Sequence, residues 1–387
     1  MGKFIPYGRQ YIDNEDIQVV IEVLKSDFLT QGPNISKLEK FFSKEVHSNY
    51  SVAFNSATSA LHIACLALGL NEDNYLWTTP ITFVASANCG LYCGAKVDFV
   101  DIDPKTGLMC TNKLINKLIK AEKEGKLPKI IIPVHLAGTS CDMPKIKELS
   151  LKYGFSIIED ASHALGGSCN NFKVGSCRYS DITVFSLHPV KIITSGEGGV
   201  ATTNDKEIAK KLSLLRSHGI EKKRDLFNNP DVGEWVYEQQ ELGFNYRMTD
   251  ILAALGTSQL KKLSFFVEKR NSIIEKYRDN FKNLPFSLLE VPKNIYSSYH
   301  LAIIRLDNKN KDYHREVFNK LRESNIGVQV HYTPVHLHPF YQKQGFNFGD
   351  FPNSEQYASN AISLPIFPAM TDKEFETIIR TLEIIFK

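Results

Sequence analysis

The chain has 387 residues, 43% hydrophobic and 23% charged, enough to bury a sizeable core and, at ~100–200 residues per domain, to form two or three domains. Lys and Arg number 46 against 43 Asp and Glu, and a net charge of +3 argues against a nucleic-acid footprint. No apolar run reaches the ~18 residues of a membrane span, residues 1–6 carry no signal-peptide core, and seven scattered cysteines include no C-x-x-C pair, so a reduced, cytoplasmic α/β-type chain is expected.

Asp13 caps an expected helix with Ile17, Val20, Ile21 and Leu24 on its apolar face. Residues 29–33 break it. A second amphipathic helix follows, with Ile35, Leu38 and Phe42 on one face. From residue 50 short apolar strands alternate with helical stretches: strands at 51–54, 75–78, 97–102, 130–134 and 155–159, helices at 60–70, 83–91, 113–123 and 143–153. That alternation implies crossover connections and a mostly parallel sheet covered on both faces. Residues 182–185 and 199–203 add strands. A long helical region spans about 249–281, with a kink near Leu263. After Pro285 the texture turns α+β: a strand at 298–306, a helix at 314–322, a strand at 328–332, and a closing helix at 373–386 capped by Thr371 or Asp372. The expected division is a large domain of residues 1–260 and a small C-terminal domain of residues 261–387.

Three segments could carry chemistry. In Asn55-Ser56-Ala57-Thr58-Ser59, between a strand and a helix, small residues and a helix start suit a phosphate; the same residues also suit an ordinary N-cap at Ser56. In Ile157-Ile158-Glu159-Asp160-Ala161-Ser162-His163, an apolar strand ends in acids at the sheet edge where α/β ligands bind, or simply in solvated carboxylates. Lys191 follows the strand at 182–185 and precedes the glycine-rich turn Gly196-Glu197-Gly198-Gly199. Desolvation would free its amine as a Schiff-base nucleophile; a snorkelling surface lysine is the ordinary alternative. Two patterns are rejected. The glycine run matches a dinucleotide fingerprint by letter, but a strand rather than a helix follows it. His331, His336 and His338 lack fixed ligand spacing and are interrupted by Pro334, so no metal is expected. Cys89 and Cys93, at helical spacing, suit core packing.

Together, Asn55 to Leu61, Thr82 to Ala85, Glu159 to Gly166, Phe185 to Lys191, Gly243 to Met248 and His331 to Pro334 resemble the DegT-type sugar aminotransferases. The six segments come in that family's order, and Lys191 stands thirty-one positions after Asp160, as the family requires. The resemblance implies a type I aminotransferase fold, pyridoxal 5′-phosphate (PLP) as cofactor and a homodimer with shared active sites. It implies that Lys191 is the Schiff-base lysine and proton shuttle, that Asp160 pairs with the pyridine nitrogen, and that Phe83 stacks on the ring. His163 would sit near the ring hydroxyl, Ala57, Thr58 and Ser186 would hold the phosphate, and Asn245 would cross to the partner's cofactor. The text around His163 and Lys191 resembles a branch that aminates C4 of a UDP-linked 4-keto-6-deoxy sugar from L-glutamate in pseudaminic acid biosynthesis. There Tyr7, Asp27, Phe28, Leu29, Thr30, His331, Tyr332 and Thr333, beside Ala57, Ser186 and Asn245, would contact the nucleotide sugar. Rival readings are a sibling acting on a dTDP- or GDP-linked keto sugar, a sugar dehydratase of the same family, which carries His at the lysine position, and a non-catalytic PLP-binding regulator, for which no second module is evident.

Overall fold

A computed structural model describes residues 3–229, 231–308 and 310–386. Residues 1, 2 and 387, the outer ends of the two expected domains, lie outside the described residues.

Seven strands form the main sheet: β1 (Tyr50–Phe54), β2 (Tyr75–Thr78), β3 (Lys96–Phe99), β4 (Ile130–Ile131), β5 (Ser156–Asp160), β6 (Ile182–Ser186) and β7 (Gly199–Thr203). Their order is β1-β7-β6-β5-β4-β2-β3. All pairings are parallel except those of β7, which runs antiparallel to both neighbours. Helices between the strands cover the sheet: α3 (Ala57–Ala67), α4 (Ala85–Tyr92), α5 (Thr111–Glu124), α6 (Met143–Tyr153) and α7 (Lys206–Arg216). One face buries Ala60, Ile63, Ile158 and Val184; the other buries Leu114, Leu118, Ile146 and Ile157. The mostly parallel sheet expected from strand–helix alternation is what forms.

Two helices precede the sheet, α1 (Asn14–Leu24) and α2 (Pro33–Val46). In α2, Leu38, Phe42 and Val46 are buried, and Phe42 lies 5.1 Å from Phe185 between ring centroids. In α1 the expected face is not the buried one. Asp13 does cap it, in a reciprocal box with Asp16, but Ile17, Ile21 and Leu24 are exposed and Asp16 and Val23 are buried. The polar anchors set the roll: Asp16 Oδ2 accepts from Gln259 Nε2 at 2.6 Å and pairs with Lys262 Nζ at 2.9 Å. A buried carboxylate must keep its donors, so the helix turns its apolar stripe outward.

The expected long helix is two, α8 (Asp250–Leu260) and α9 (Leu263–Asn280), broken at Lys261 and Lys262. Along α9, Phe266 and Val267 pack with Leu38 and Phe185, whereas Ile273, Ile274 and Tyr277 pack in a second core with Ile304 and Leu364. That second core lies on a three-stranded antiparallel sheet of β8 (Phe286–Leu288), β9 (Ala302–Leu306) and β10 (Ala361–Leu364), in the order β8-β9-β10. Helix α10 (Lys311–Glu323) and the closing helix Asp372–Phe386 also contribute to it, and Thr371 caps the latter by accepting from Glu374 N. The strand expected at residues 328–332 does not form. Only Gln329 bridges to Ser363, and the His331 carbonyl accepts from the Tyr357 hydroxyl instead of a neighbouring strand. Among the described residues no helix is long and apolar enough to cross a membrane.

Candidate active site

Strand alternation decides which acid of β5 faces the cavity. Successive side chains point to opposite faces, so Glu159 goes with Ile157 and Asp160 with Ile158. Glu159 is taken up internally: His135 Nε2 meets it at 2.7 Å, and the hydroxyls of Thr183 and Ser180 donate to its other oxygen. Burial opposes its charge, but those donors hold the carboxyl below the usual range. Asp160 instead faces a cavity of about 640 Å³ at the C-terminal edge of the sheet. Its Oδ1 accepts from Ser162 N at 3.0 Å and its Oδ2 from Ser86 Oγ at 2.6 Å.

The neighbouring strand supplies the lysine. β6 ends at Ser186, which lines the cavity, and the chain turns through Lys191 before returning as β7. Lys191 lines the same cavity, and among the described residues no hydrogen bond or ion pair engages its amine. Burial lowers that amine to about 8, against the opposing pull of the Asp160 charge.

The third part is the start of α3. Ser56 accepts from Ser59 N at 3.1 Å, an ordinary N-cap. The first-turn N–H groups of Ala57 and Thr58 lie ahead of any intrahelical acceptor, and both residues line the cavity. The Ser56 cap therefore leaves the N–H groups of Ala57 and Thr58 without an intrahelical acceptor beside the cavity. Gly199 makes the approach possible: a Cβ on it would lie 2.5 Å from Ala57 N and from the Ser56 carbonyl carbon.

Aromatic and imidazole groups form the walls. Phe83 is 60% exposed, and its ring centroid is 6.4 Å from that of Tyr332. His163 Nε2 lies 3.1 Å from the Tyr332 hydroxyl, and its ring lies 4.4 Å from that of His300. The Nδ1 atoms of His163 and His300 and the Oδ1 of Asn55 are buried without partners. Burial, with the Lys191 charge, depresses His163 well below its ordinary value and His331 to about 3, so these imidazoles stay neutral. Tyr7 and His331 complete the lining, their rings 5.4 Å apart.

The fold thus gathers Tyr7, Ala57, Thr58, Phe83, Asp160, His163, Ser186, Lys191, His331 and Tyr332 around one cavity. Within this chain it does not bring Asn245, Asp27, Phe28, Leu29, Thr30 or Thr333 into it. Asn245 is exposed and bridges to Ser217. Asp27 and Phe28 line a separate cavity with Lys37 and Ser258, and Thr30 bridges to Thr249. His331, His336 and His338 do not converge: His331 bonds Ser363 Oγ, His336 bonds Glu355, and no metal-binding cluster occurs among the described residues. Sequence reasoning missed His300, Ser86 and Glu197. His300 carries no local signal, because only the tertiary fold sets it against His163. Ser86 had one, a hydroxyl one helical turn after Thr82.

A lysine and a carboxylate thus face one cavity at the edge of a mostly parallel sheet, over a helix N-terminus and beside a smaller antiparallel sheet, where ligands of open α/β sheets bind. The model of the DegT/DnrJ/EryC1/StrS aminotransferase family matches residues 10–383, and the chain belongs to that family. It is 39% identical to a UDP-4-amino-4,6-dideoxy-N-acetyl-β-L-altrosamine transaminase of Campylobacter jejuni, over 98% of this chain and 96% of the relative. Among solved structures it resembles Helicobacter pylori PseC, an aminotransferase involved in the biosynthesis of pseudoaminic acid, with a TM-score of 0.90, 34% identity and 99% of each chain covered. It also resembles Spr1654 of Streptococcus pneumoniae in its PLP form, with a TM-score of 0.88 and 27% identity over 99% of this chain and 98% of that one.

Proposed function

We propose that the protein binds PLP and transfers an amino group from L-glutamate to C4 of UDP-2-acetamido-2,6-dideoxy-β-L-arabino-hex-4-ulose, a step of pseudaminic acid biosynthesis. The observation that carries the reading is Lys191, its amine lowered to about 8 by burial, sharing a cavity with Asp160 above the free N–H groups of α3. The residues fit the cofactor. The α3 start, Ser186 and the Gly199 approach form a phosphate cradle, Phe83 offers a ring face, and the partnerless His163 Nδ1 and Asn55 Oδ1 offer polar contacts. When bound, PLP supplies an electron sink for the carbanion formed at the substrate carbon.

The chain's own residues do the rest. Lys191 Nζ supplies the nucleophile and then carries the proton to and from the substrate carbon. Asp160, fixed by Ser162 and Ser86, holds the proton on the pyridine nitrogen. Tyr7, His331 and Tyr332 form the wall available to the nucleotide sugar. The names of the Campylobacter relative and of PseC support the sugar class.

The functional unit is a homodimer in which Asn245 reaches the partner's cofactor phosphate. The exposed apolar side chains Ile17, Ile21, Leu24, Phe28 and Leu29 support a buried contact between copies. Seven free cysteines suit a reducing cytoplasm. Mass spectrometry of products from a panel of UDP-, dTDP- and GDP-linked keto sugars, with L-glutamate as donor, tests the reading. A mass gain only on a dTDP- or GDP-sugar would overturn the substrate assignment. Borohydride labelling of a lysine other than Lys191 would overturn the site.

A further inference from the structure

The Ser86 hydroxyl that holds Asp160 is itself backed by a buried hydroxyl, that of Thr82, which the catalytic reading does not use. Thr82 Oγ1 lies 2.7 Å from Ser86 Oγ, which lies 2.6 Å from Asp160 Oδ2; Thr82 and Ser86 are almost completely buried. The direction of the chain follows from proton counting. A carboxylate only accepts, and Ser86 has one hydroxyl proton. The Phe83 carbonyl, at 3.4 Å, is the weaker acceptor, so that proton goes to Asp160. Ser86 Oγ is then free to accept, and Thr82 donates to it. The opposite direction would leave Asp160 Oδ2 buried without a donor, which is costly.

We propose, building on the assignment of Asp160 to the pyridine nitrogen, that Ser86 is a positioning residue and Thr82 its support, together fixing which lone pair of Asp160 faces the cofactor ring. Ser162 N–H holds one carboxylate oxygen and Ser86 the other, so the carboxyl plane has no free rotation. The placement is built into the fold. Thr82 precedes α4 and Ser86 lies in its first turn, one helical turn further on, so the two hydroxyls share a face that abuts the end of β5. Each carboxylate oxygen keeps a second lone-pair direction, which leaves acceptor capacity for the ring nitrogen with both donors in place. Without Ser86 the carboxyl can swing, and its hydrogen bond to the ring nitrogen loses alignment.

The test uses the PLP-loaded full-length enzyme and the variants Ser86→Ala, Ser86→Thr and Thr82→Val, with Asp160→Asn as reference. Alanine is the best helix former, so Ser86→Ala is expected to fold, which circular dichroism checks. Three quantities are read: the PLP dissociation constant, the pH midpoint of the bound cofactor's visible absorption band, and kcat against KM. Ser86→Ala is expected to weaken PLP about tenfold, the order expected for a lost hydrogen bond to a charged group, to displace the pH midpoint, and to lower kcat with KM little changed. Ser86→Thr is expected to restore all three. Thr82→Val is expected to act in the same direction but less, and the double variant to be no worse than Ser86→Ala, as members of one chain must be. Wild-type behaviour of Ser86→Ala, failure of threonine to rescue, or full additivity of the two changes would each overturn the proposal. If Asp160→Asn itself leaves PLP affinity and pH midpoint unchanged, the assignment of Asp160 fails, and the relay falls with it for that distinguishable reason.

Discussion

Burial of Lys191 makes a prediction that can be worked through in numbers. An ordinary lysine titrates near 10.5, and at pH 7 only ~0.03% of it is the free amine. With the amine lowered to about 8, the free fraction at pH 7 is about 10%, roughly 300-fold more nucleophile. The physical origin is the desolvated cavity, which disfavours the charged ammonium, partly offset by the Asp160 carboxylate. The measurement is isotopic reductive methylation of the PLP-free protein from pH 6 to 11, with peptide mapping. Each lysine reports its own profile, and the exposed lysines serve as internal controls. Lys191 is expected to react half-maximally near pH 8. The same displacement acts on stability. A lysine whose folded value lies below its unfolded value binds fewer protons folded than unfolded between the two. It therefore destabilises the fold below pH 8, progressively less between 8 and 10.5, and not at all above. Lys191→Met should accordingly stabilise the PLP-free protein at pH 7 by up to about 3 kcal/mol, reduced by solvent in the open cavity. Its melting temperature should rise by a few degrees, and the gap to wild type should close as pH approaches 10.5. A labelling midpoint near 10, or a stability gap that does not change with pH, would refute the burial argument.

Asp160→Asn is nearly isosteric and should fold, but an amide cannot keep the ring nitrogen protonated; steady-state kinetics should show kcat reduced more than tenfold, ~1.4 kcal/mol in the barrier, and a smaller loss would discard the role. Arg270 is buried, with Nη1 directed at the carbonyls of Tyr299, His300 and Ile366. Arg270→Leu should leave these unpaired and destabilise by about 3 kcal/mol or more in urea unfolding, and a loss under 1 kcal/mol would show that water replaces the guanidinium. Asn245→Ala and Lys191→Ala should each be inactive, yet mixed dimers should recover up to about a quarter of wild-type activity, because each heterodimer assembles one complete site. No recovery in confirmed heterodimers would mean that Asn245 serves its own chain.

Much of the frame was legible because it rests on local periodicity. The strand at 75–78 and the helix at 143–153 form with the expected bounds, since a short apolar run and the Asp142 cap specify them locally. Asp160 and Lys191 were singled out by the resemblance and the order of its six segments, since locally a strand ending in acids and a lysine before a glycine turn left solvated alternatives open; the structure places both on one cavity. What failed was set from afar. The roll of α1 depends on Gln259 and Lys262, more than 240 residues from Asp16, so its apolar stripe could not report which face is buried. The segment at 328–332 has the composition of a strand, but Tyr357 takes the His331 carbonyl that a ladder would have used. His300 reaches His163 only once the small sheet has folded against the large one.

The single antiparallel strand of the main sheet explains why the lysine stays where it is needed. In the register of β5 and β6, Asp160 pairs with Val184, so Lys191 lies seven residues beyond the level of the carboxylate. A parallel partner for β6 would require a crossover carrying the chain back to the opposite edge of the sheet. β7 instead returns directly, and its tight connection is closed by Ser195 N donating to the Leu187 carbonyl and Leu187 N to the Gly198 carbonyl, both at 2.9 Å. Lys191 is thereby held in the twelve-residue connection at the C-terminal edge, lining the same cavity as Asp160 and the start of α3. The return is possible because Gly199 lets β7 pass within contact of Ser56 and Ala57. The glycine run that mimics a dinucleotide fingerprint thus has another physical purpose. It allows an antiparallel return at the edge where lysine, carboxylate and the start of α3 meet, and on the proposed reading Gly199→Ala should therefore weaken PLP affinity before it disturbs the sheet.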